Sequence, residues 1–263
     1  MFDIRGCGDT HTNTDEPGRR TMKSVEDGTY GFSLECYAET LHAYLDAGYA
    51  VTSFRQYLED PQPKHLILRH DIDNSIEQAM RVARVDAEAG CSASIFLRVH
   101  ARGYNLFDLP SLMRIQEMES LGHDVQLHLE GGINEVVGGT NLESADRQRR
   151  LFEEAVGRPL GGFSLHEPAR MGGIQFGDSL LERWSDSVAF HSYEQRFMMP
   201  SMKYLSDSSG NWREGHFALW LDKVPVLQVL THPFWWFDKV PAENYCGASP
   251  EAAGTLAPTP RPG

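Results

Sequence analysis

His65-Leu66-Ile67-Leu68-Arg69-His70-Asp71-Ile72-Asp73 is an apolar run that ends in ionisable residues. A short buried strand has this form, and strand alternation puts Asp71 and Asp73 on one side of it. Three further runs repeat the form. Val125-Gln126-Leu127 ends at His128, with Glu130 two residues on. Phe163-Ser164-Leu165 ends at His166-Glu167, and Leu227-Gln228-Val229-Leu230-Thr231 ends at His232. Other short strands are expected at residues 93–99, 187–190 and 203–205. Between the strands the apolar period becomes helical. Ser33 caps a helix carrying Leu34, Tyr37, Leu41 and Tyr44 that stops at Gly48. A second helix follows Asn74, with Ile76, Met80, Val82 and Val85 inward. Residues 110–121 and 142–156 form two more, the latter burying Leu151, Phe152 and Val156. Strands alternating with such helices mean parallel βα units, an α/β fold of about seven parallel strands. A closed barrel is the preferred arrangement, and an open doubly wound sheet fits the same periods.

With 263 residues, the chain has the length of one such barrel, which takes roughly 200–250 residues. Residues 1–30 read as a polar N-terminal extension, 31–239 as a single domain and 240–263 as a Pro/Ala/Gly-rich tail. The formal charge, 24 − 37 = −13, argues against a nucleic-acid partner, whose phosphates it would repel. Neither a signal-peptide pattern nor an apolar stretch of membrane-spanning length is visible, so a cytoplasmic location is expected, with no membrane insertion. Cys7, Cys36, Cys91 and Cys246 are widely spaced without a CxxC pair, as expected of free thiols in a reducing compartment.

Four separate runs thus deliver His or Asp to the C-terminal edge of a strand, the edge where α/β folds bind ligands. Each residue alone has an ordinary reading. A strand-end histidine is usually a hydrogen-bonded core residue, and Asp73 or Asn74 would serve as a helix cap. Their coincidence at one edge is what suggests a site, and His with Asp is a donor set suited to Zn²⁺ or a similar divalent ion. Competing chemistries lack their motifs: there is no GxGxxG after a strand, no Walker loop and no GxSxG elbow. Met198-Met199 and Trp235-Trp236 read as packing residues, although Trp236 or Trp212 is also placed to stack on a sugar face.

These residues resemble the motifs of the NodB-type polysaccharide deacetylases, in the family's order and over about residues 65–237. Asp71 and Asp73 within His70-Asp71-Ile72-Asp73 are similar to the family's opening aspartates. Gly122-His123-Asp124-Val125-Gln126-Leu127-His128 resembles the lead into its histidine ligand. Phe163-Ser164-Leu165-His166-Glu167-Pro168-Ala169-Arg170 resembles its Arg-x-Pro stretch. Leu205-Ser206-Asp207-Ser208-Ser209-Gly210-Asn211-Trp212-Arg213 resembles its acidic-plus-Trp segment, and Leu230-Thr231-His232 its Leu-x-His. The resemblance implies a distorted (β/α) barrel and a metal-dependent hydrolase, most simply zinc-dependent, that removes an acetyl or formyl group from an amino sugar. Asp71 would be the base, Asp73 and His128 metal ligands, and His232 the proton donor. Asp207, Trp212, Arg213, Trp236 and Glu130 would meet the sugar. This chain departs from the family at Gly132, where the second histidine ligand usually stands, four residues after the first. His166 is the candidate replacement, with Glu130 in reserve; Arg170 or Arg69 would stand in for the arginine that steadies the base. A cytoplasmic member would act on a sugar-linked precursor in surface-polysaccharide synthesis. A non-catalytic sugar-binding scaffold and a C–N hydrolase of a non-sugar amide are the alternatives.

Overall fold

The computed structural model describes residues 32–198, 200 and 202–237. The expected terminal extension and tail lie outside the described residues, as do Cys7, Cys246 and Met199. The central strand is β2 (His65–Ile72), buried at all eight positions. A strand covered on both faces in this way belongs in the middle of a parallel sheet. Its neighbours are β3 (Ser94–Leu97) on one side and β8 (Val226–Thr231) on the other, with the three-residue β1 (Ala50–Thr52) beside its first half. The remaining strands are β4 (Asp124–Glu130), β5 (Gly162–His166), β6 (Phe190–His191) and β7 (Lys203–Ser206). All pairings are parallel, in the order β6-β5-β4-β3-β2-β8-β7. The ladder is open between β6 and β7. Gln228 of β8 spans toward this opening, donating from Nε2 to the Ser192 and Phe197 carbonyls.

Helices connect the strands: α1 (Leu34–Asp46), α2 (Phe54–Glu59), α3 (Ile76–Glu88), α4 (Leu109–Ser120), α5 (Ile133–Val137), α6 (Asn141–Val156) and α7 (Ile174–Arg183), of which α1, α3, α4 and α6 match the periods. Ser33 caps α1 by accepting from the Cys36 amide, Asp108 caps α4 from the Ser111 amide, and Thr140 with Glu143 forms a capping box on α6. Val85 packs against the core as expected, and Leu151 and Val156 are half-buried where burial was expected. The pairing Phe190–His191 replaces the longer strand expected from residue 187. None of the helices among the described residues is long and apolar enough to cross a membrane. Cys36 and Cys91 are free and buried.

Side-chain alternation divides each strand between two environments. On β2 the outer set, Leu66, Leu68 and Ile72, packs under the helices. His70 joins this outer layer, sharing its ring nitrogens between Asp86 of α3 at 2.8 Å and Thr231 at 2.6 Å. The inner set begins with Ile67, which packs with Phe54, Phe96, Phe190, Phe197 and Met202 into an aromatic plug. Above Ile67 the same inner row continues with Arg69 and Asp71. The interior therefore turns from apolar to ionic toward the C-terminal edge.

Candidate metal centre

That edge collects the strand-end residues. Asp73 follows β2, His128 is the fifth residue of β4 and His166 ends β5. One donor atom from each lies within 4.8 Å of the others. Asp73 Oδ1 sits 3.5 Å from His128 Nε2 and 3.6 Å from His166 Nε2. It is buried yet has no hydrogen-bond partner. An orphaned carboxylate oxygen between two imidazole nitrogens is costly unless something cationic occupies the gap. Donors about 2.0–2.2 Å from a tetrahedral ion stand roughly 3.3–3.6 Å apart, so these separations fit a zinc-sized cation. Burial opposes the charge on Asp73, but His128, His232 and His166 around it hold the carboxyl well below the usual carboxylate range.

Both histidines are oriented from behind. His128 Nδ1 meets the Ser164 hydroxyl of β5, and His166 Nδ1 lies 3.2 Å from Glu130 Oε1. Contacts from behind on each Nδ1 leave each Nε2 directed toward Asp73, as a metal-ligating imidazole requires. The Asp73 turn is braced by the loop after β3. Tyr104 donates to the Ile72 carbonyl at 2.7 Å and accepts from the Arg98 amide at 2.7 Å. Gly103 approaches so closely that an added Cβ would stand 1.8 Å from the Asn74 carbonyl oxygen.

Asp71 stands beside the donors, its Oδ2 3.5 Å from His128 Nε2. Arg69, two residues earlier on the same inner row, grips it with Nε at 2.9 Å and NH2 at 2.7 Å. Burial opposes ionisation of Asp71, but the Arg69 guanidinium, helped by His128 and His232, keeps its pKa below the ordinary value. Opposite, His232 Nε2 is 4.0 Å from Asp73 Oδ2, and its Nδ1 is 2.6 Å from Asp207 Oδ1. Asp207 also accepts from the His232 amide at 3.0 Å and from Trp236 Nε1 at 2.9 Å. Burial disfavours the imidazolium, yet Asp207, with Asp71 and Asp73, raises the His232 pKa to about 9.

Several sequence expectations are corrected by these positions. Arg170 is exposed and paired with Glu167 at 3.0 Å, so the guanidinium that holds Asp71 is that of Arg69. Trp236 is 1% exposed, packed on Tyr37 and Phe32, and offers no face to a ligand. Asp207 is wholly buried; it holds His232 rather than lining a pocket. Glu130 is turned toward His166 and Arg98. Trp212 and Arg213 line an open cavity of about 350 Å³ with Tyr204, Ser206 and Ser208, a lining that includes none of the three donors. Arg98 was not foreseen. It sits two residues beyond Phe96, and the strand period that turns Phe96 inward points to it.

Eight parallel strands, curled around an aromatic plug and opening at one seam, bring these groups together. The fold is a distorted, open (β/α) barrel. Neither a family model nor a curated protein matches the chain. Solved structures do match, at low identity. A CE4 esterase of Streptococcus mutans is 14% identical, with a TM-score of 0.46 over 78% of this chain and 87% of that one. The chitin deacetylase of the fungal pathogen Colletotrichum lindemuthianum is 14% identical, with a TM-score of 0.44 over 71% and 78%. A CE4 family pseudoenzyme from Bacillus anthracis is 13% identical, with a TM-score of 0.42 over 74% and 62%. The chain thus spans less than two thirds of the pseudoenzyme's length, and 58% of a mutant form of a CE4 pseudoenzyme.

Proposed function

We propose that this protein is a metal-dependent hydrolase that removes an N-acyl group, acetyl or formyl, from an amino sugar. The observation that carries the reading is Asp73 Oδ1, buried without a hydrogen-bond partner between His128 and His166 and beside the paired base Asp71. Asp73, His128 and His166 would hold the ion, most simply Zn²⁺. Such an ion supplies Lewis acidity to the acyl carbonyl and acidifies a water in its open position. Asp71, kept ionised by Arg69, takes the proton from the attacking water. His232, held by Asp207 with Nε2 facing Asp73, delivers a proton to the leaving amine, without which an amine departs poorly. Trp212 and Arg213 border the space for the sugar.

The substrate class we infer is an N-acylated sugar or a sugar-linked precursor. Gly132 favours the scaffold alternative; the His166 donor beside Asp73 and His128 supports the hydrolase reading.

The test has two parts. Purified protein should hold close to one equivalent of a divalent metal, and it should release acetate or formate from a panel of N-acylated sugars and simple amides. Asp71→Asn and His232→Ala should each lower turnover by roughly 10²–10⁴ with metal content unchanged. A bound ion with no acyl release from any member of the panel would leave only the scaffold reading. Loss of metal in Asp71→Asn would mean that the roles of Asp71 and Asp73 are wrongly divided.

A further inference from the structure

His166 comes from a different strand from His128, so nothing local fixes its ring. Glu130, on β4 beside it, presents Oε1 to His166 Nδ1 at 3.2 Å. Its other oxygen, Oε2, is taken by Arg98 NH2. The same guanidinium turns NH1 toward Asp73, 3.4 Å from the carbonyl oxygen and 3.7 Å from Oδ1. Arg98 and Glu130 are both largely buried, and Arg98 Nε has no partner. The Arg98 backbone is pinned through Tyr104 to the Ile72 carbonyl, in the segment that carries Asp73.

We infer that Arg98 and Glu130 form a clamp that positions two of the three metal donors, Asp73 and the His166 ring. The inference rests on the metal-dependent reading above and deepens it. Two opposed effects are at stake. A guanidinium near a cation site repels the ion, whereas a carboxylate behind a histidine ligand strengthens it. Arg98 is neutralised by Glu130, so its field at the donors is that of a dipole and the repulsion is small. What remains is geometric: the planar fork reaches Glu130 and Asp73 at once, which a point-charge ammonium does not. Removing such a supporting partner typically costs roughly 10- to 100-fold in metal affinity.

The experiment measures zinc affinity by competition with a chromophoric chelator, and the His166 ring by long-range ¹H–¹⁵N NMR in metal-free protein. Arg98→Met and Glu130→Gln should each weaken zinc binding about 10- to 100-fold, and the double variant no more than the weaker-binding single. Arg98→Lys, which keeps the charge and loses the fork, should resemble Arg98→Met. Metal-free wild type should show a single set of His166 ring signals, and both Arg98→Met and Glu130→Gln should shift or broaden them. Zinc binding in Arg98→Met as tight as wild type, or tighter, would overturn the clamp, as would His166 ring signals unchanged in both variants. A wild-type protein that ignores zinc would sink the hydrolase reading while the NMR result still decides the clamp. Urea midpoints show which variants are folded, and Glu130→Gln carries the test if Arg98→Met is not.

Discussion

Replacing Asp71 by asparagine should destabilise the metal-free protein by about 3 kcal/mol, and the cost should be largely recovered by Arg69→Met in the same chain. The partners lie 2.7 and 2.9 Å apart with 0% and 3% of their side chains exposed. At an effective dielectric of about 20, unit charges about 3 Å apart attract by roughly 5–6 kcal/mol. Desolvation takes back several kcal/mol per ion, so the intact pair contributes little net stability. Breaking it is different. Asp71→Asn leaves a buried guanidinium against an amide that can satisfy only one of its two N–H groups, and such broken pairs cost about 3–5 kcal/mol. Arg69 keeps secondary partners in Gln228 at 3.4 Å and the Tyr193 hydroxyl at 3.2 Å, which puts the expected value at the lower end. Arg69→Met removes the orphaned charge together with the guanidinium's stacking on Tyr193 and Phe96. Urea unfolding of wild type, both singles and the double, with chelator present, gives the coupling energy directly. We expect at least about 2 kcal/mol, with m unchanged. Additive singles, or an Asp71→Asn cost below about 1 kcal/mol, would refute the buried-pair reasoning. A domain stable by about 5–15 kcal/mol remains folded after such a loss. The turnover of Asp71→Asn therefore remains interpretable.

Zinc at about 100 times its dissociation constant should raise the unfolding free energy by about 2.7 kcal/mol, and chelator should reverse the gain; calorimetry that shows no shift would count against the donor triad. Asp207→Asn exchanges a carboxylate that accepts from His232 and Trp236 for an amide with one acceptor, so a loss of about 2–3 kcal/mol in urea titrations and a lowered His232 pKa by NMR are expected. His216 is buried against Trp212 and Phe217, and burial alone drives its pKa down to about 3. The unfolded chain takes up this proton below about pH 6.5, so the stability is fully present above that value and is lost as pH falls toward 3. His216→Phe should flatten the stability profile near pH 5 by about 1.4 kcal/mol per pH unit, and an unaltered slope would show that His216 titrates normally. Gly132→His restores the residue type usual in the resembled family, but at φ +80° and with its Cβ 3.8 Å from the Arg170 guanidinium. It should cost about 1–2 kcal/mol and leave zinc affinity within a factor of two; a tenfold tightening would contradict the placement of the site.

The alternation of strands and helices was legible because each inner strand is an apolar run bounded by polar residues. Asp73, His128 and His166 were legible for the same reason, as the ionisable ends of those runs. β1 and α2 escaped, one being three residues long and the other burying only Phe54, although the Ser53–Gln56 capping box marks the helix start. Arg69 was one of two candidates, and strand parity with Asp71 favours it over Arg170. Asp207 and Trp236 were misread for a different cause. Their roles depend on the β7–β8 register, which sets Ser206 against Leu230, and on a turn at Pro233–Trp235 that folds Trp236 under His232. Neither is encoded within a few residues of the side chain concerned.

The three donors are far apart along the chain, 55 residues from Asp73 to His128 and 38 from His128 to His166. Two ligands four residues apart on one turn can chelate an ion before anything else has formed. Here, closing both segments in a disordered chain costs roughly 7 kcal/mol of loop entropy, so an unfolded molecule has little grip on zinc. An ion would enter only after β2 through β5 are aligned, acting as a latch on the finished barrel rather than a seed for it. Metal added to refolding protein should accordingly slow unfolding and leave the folding rate unchanged.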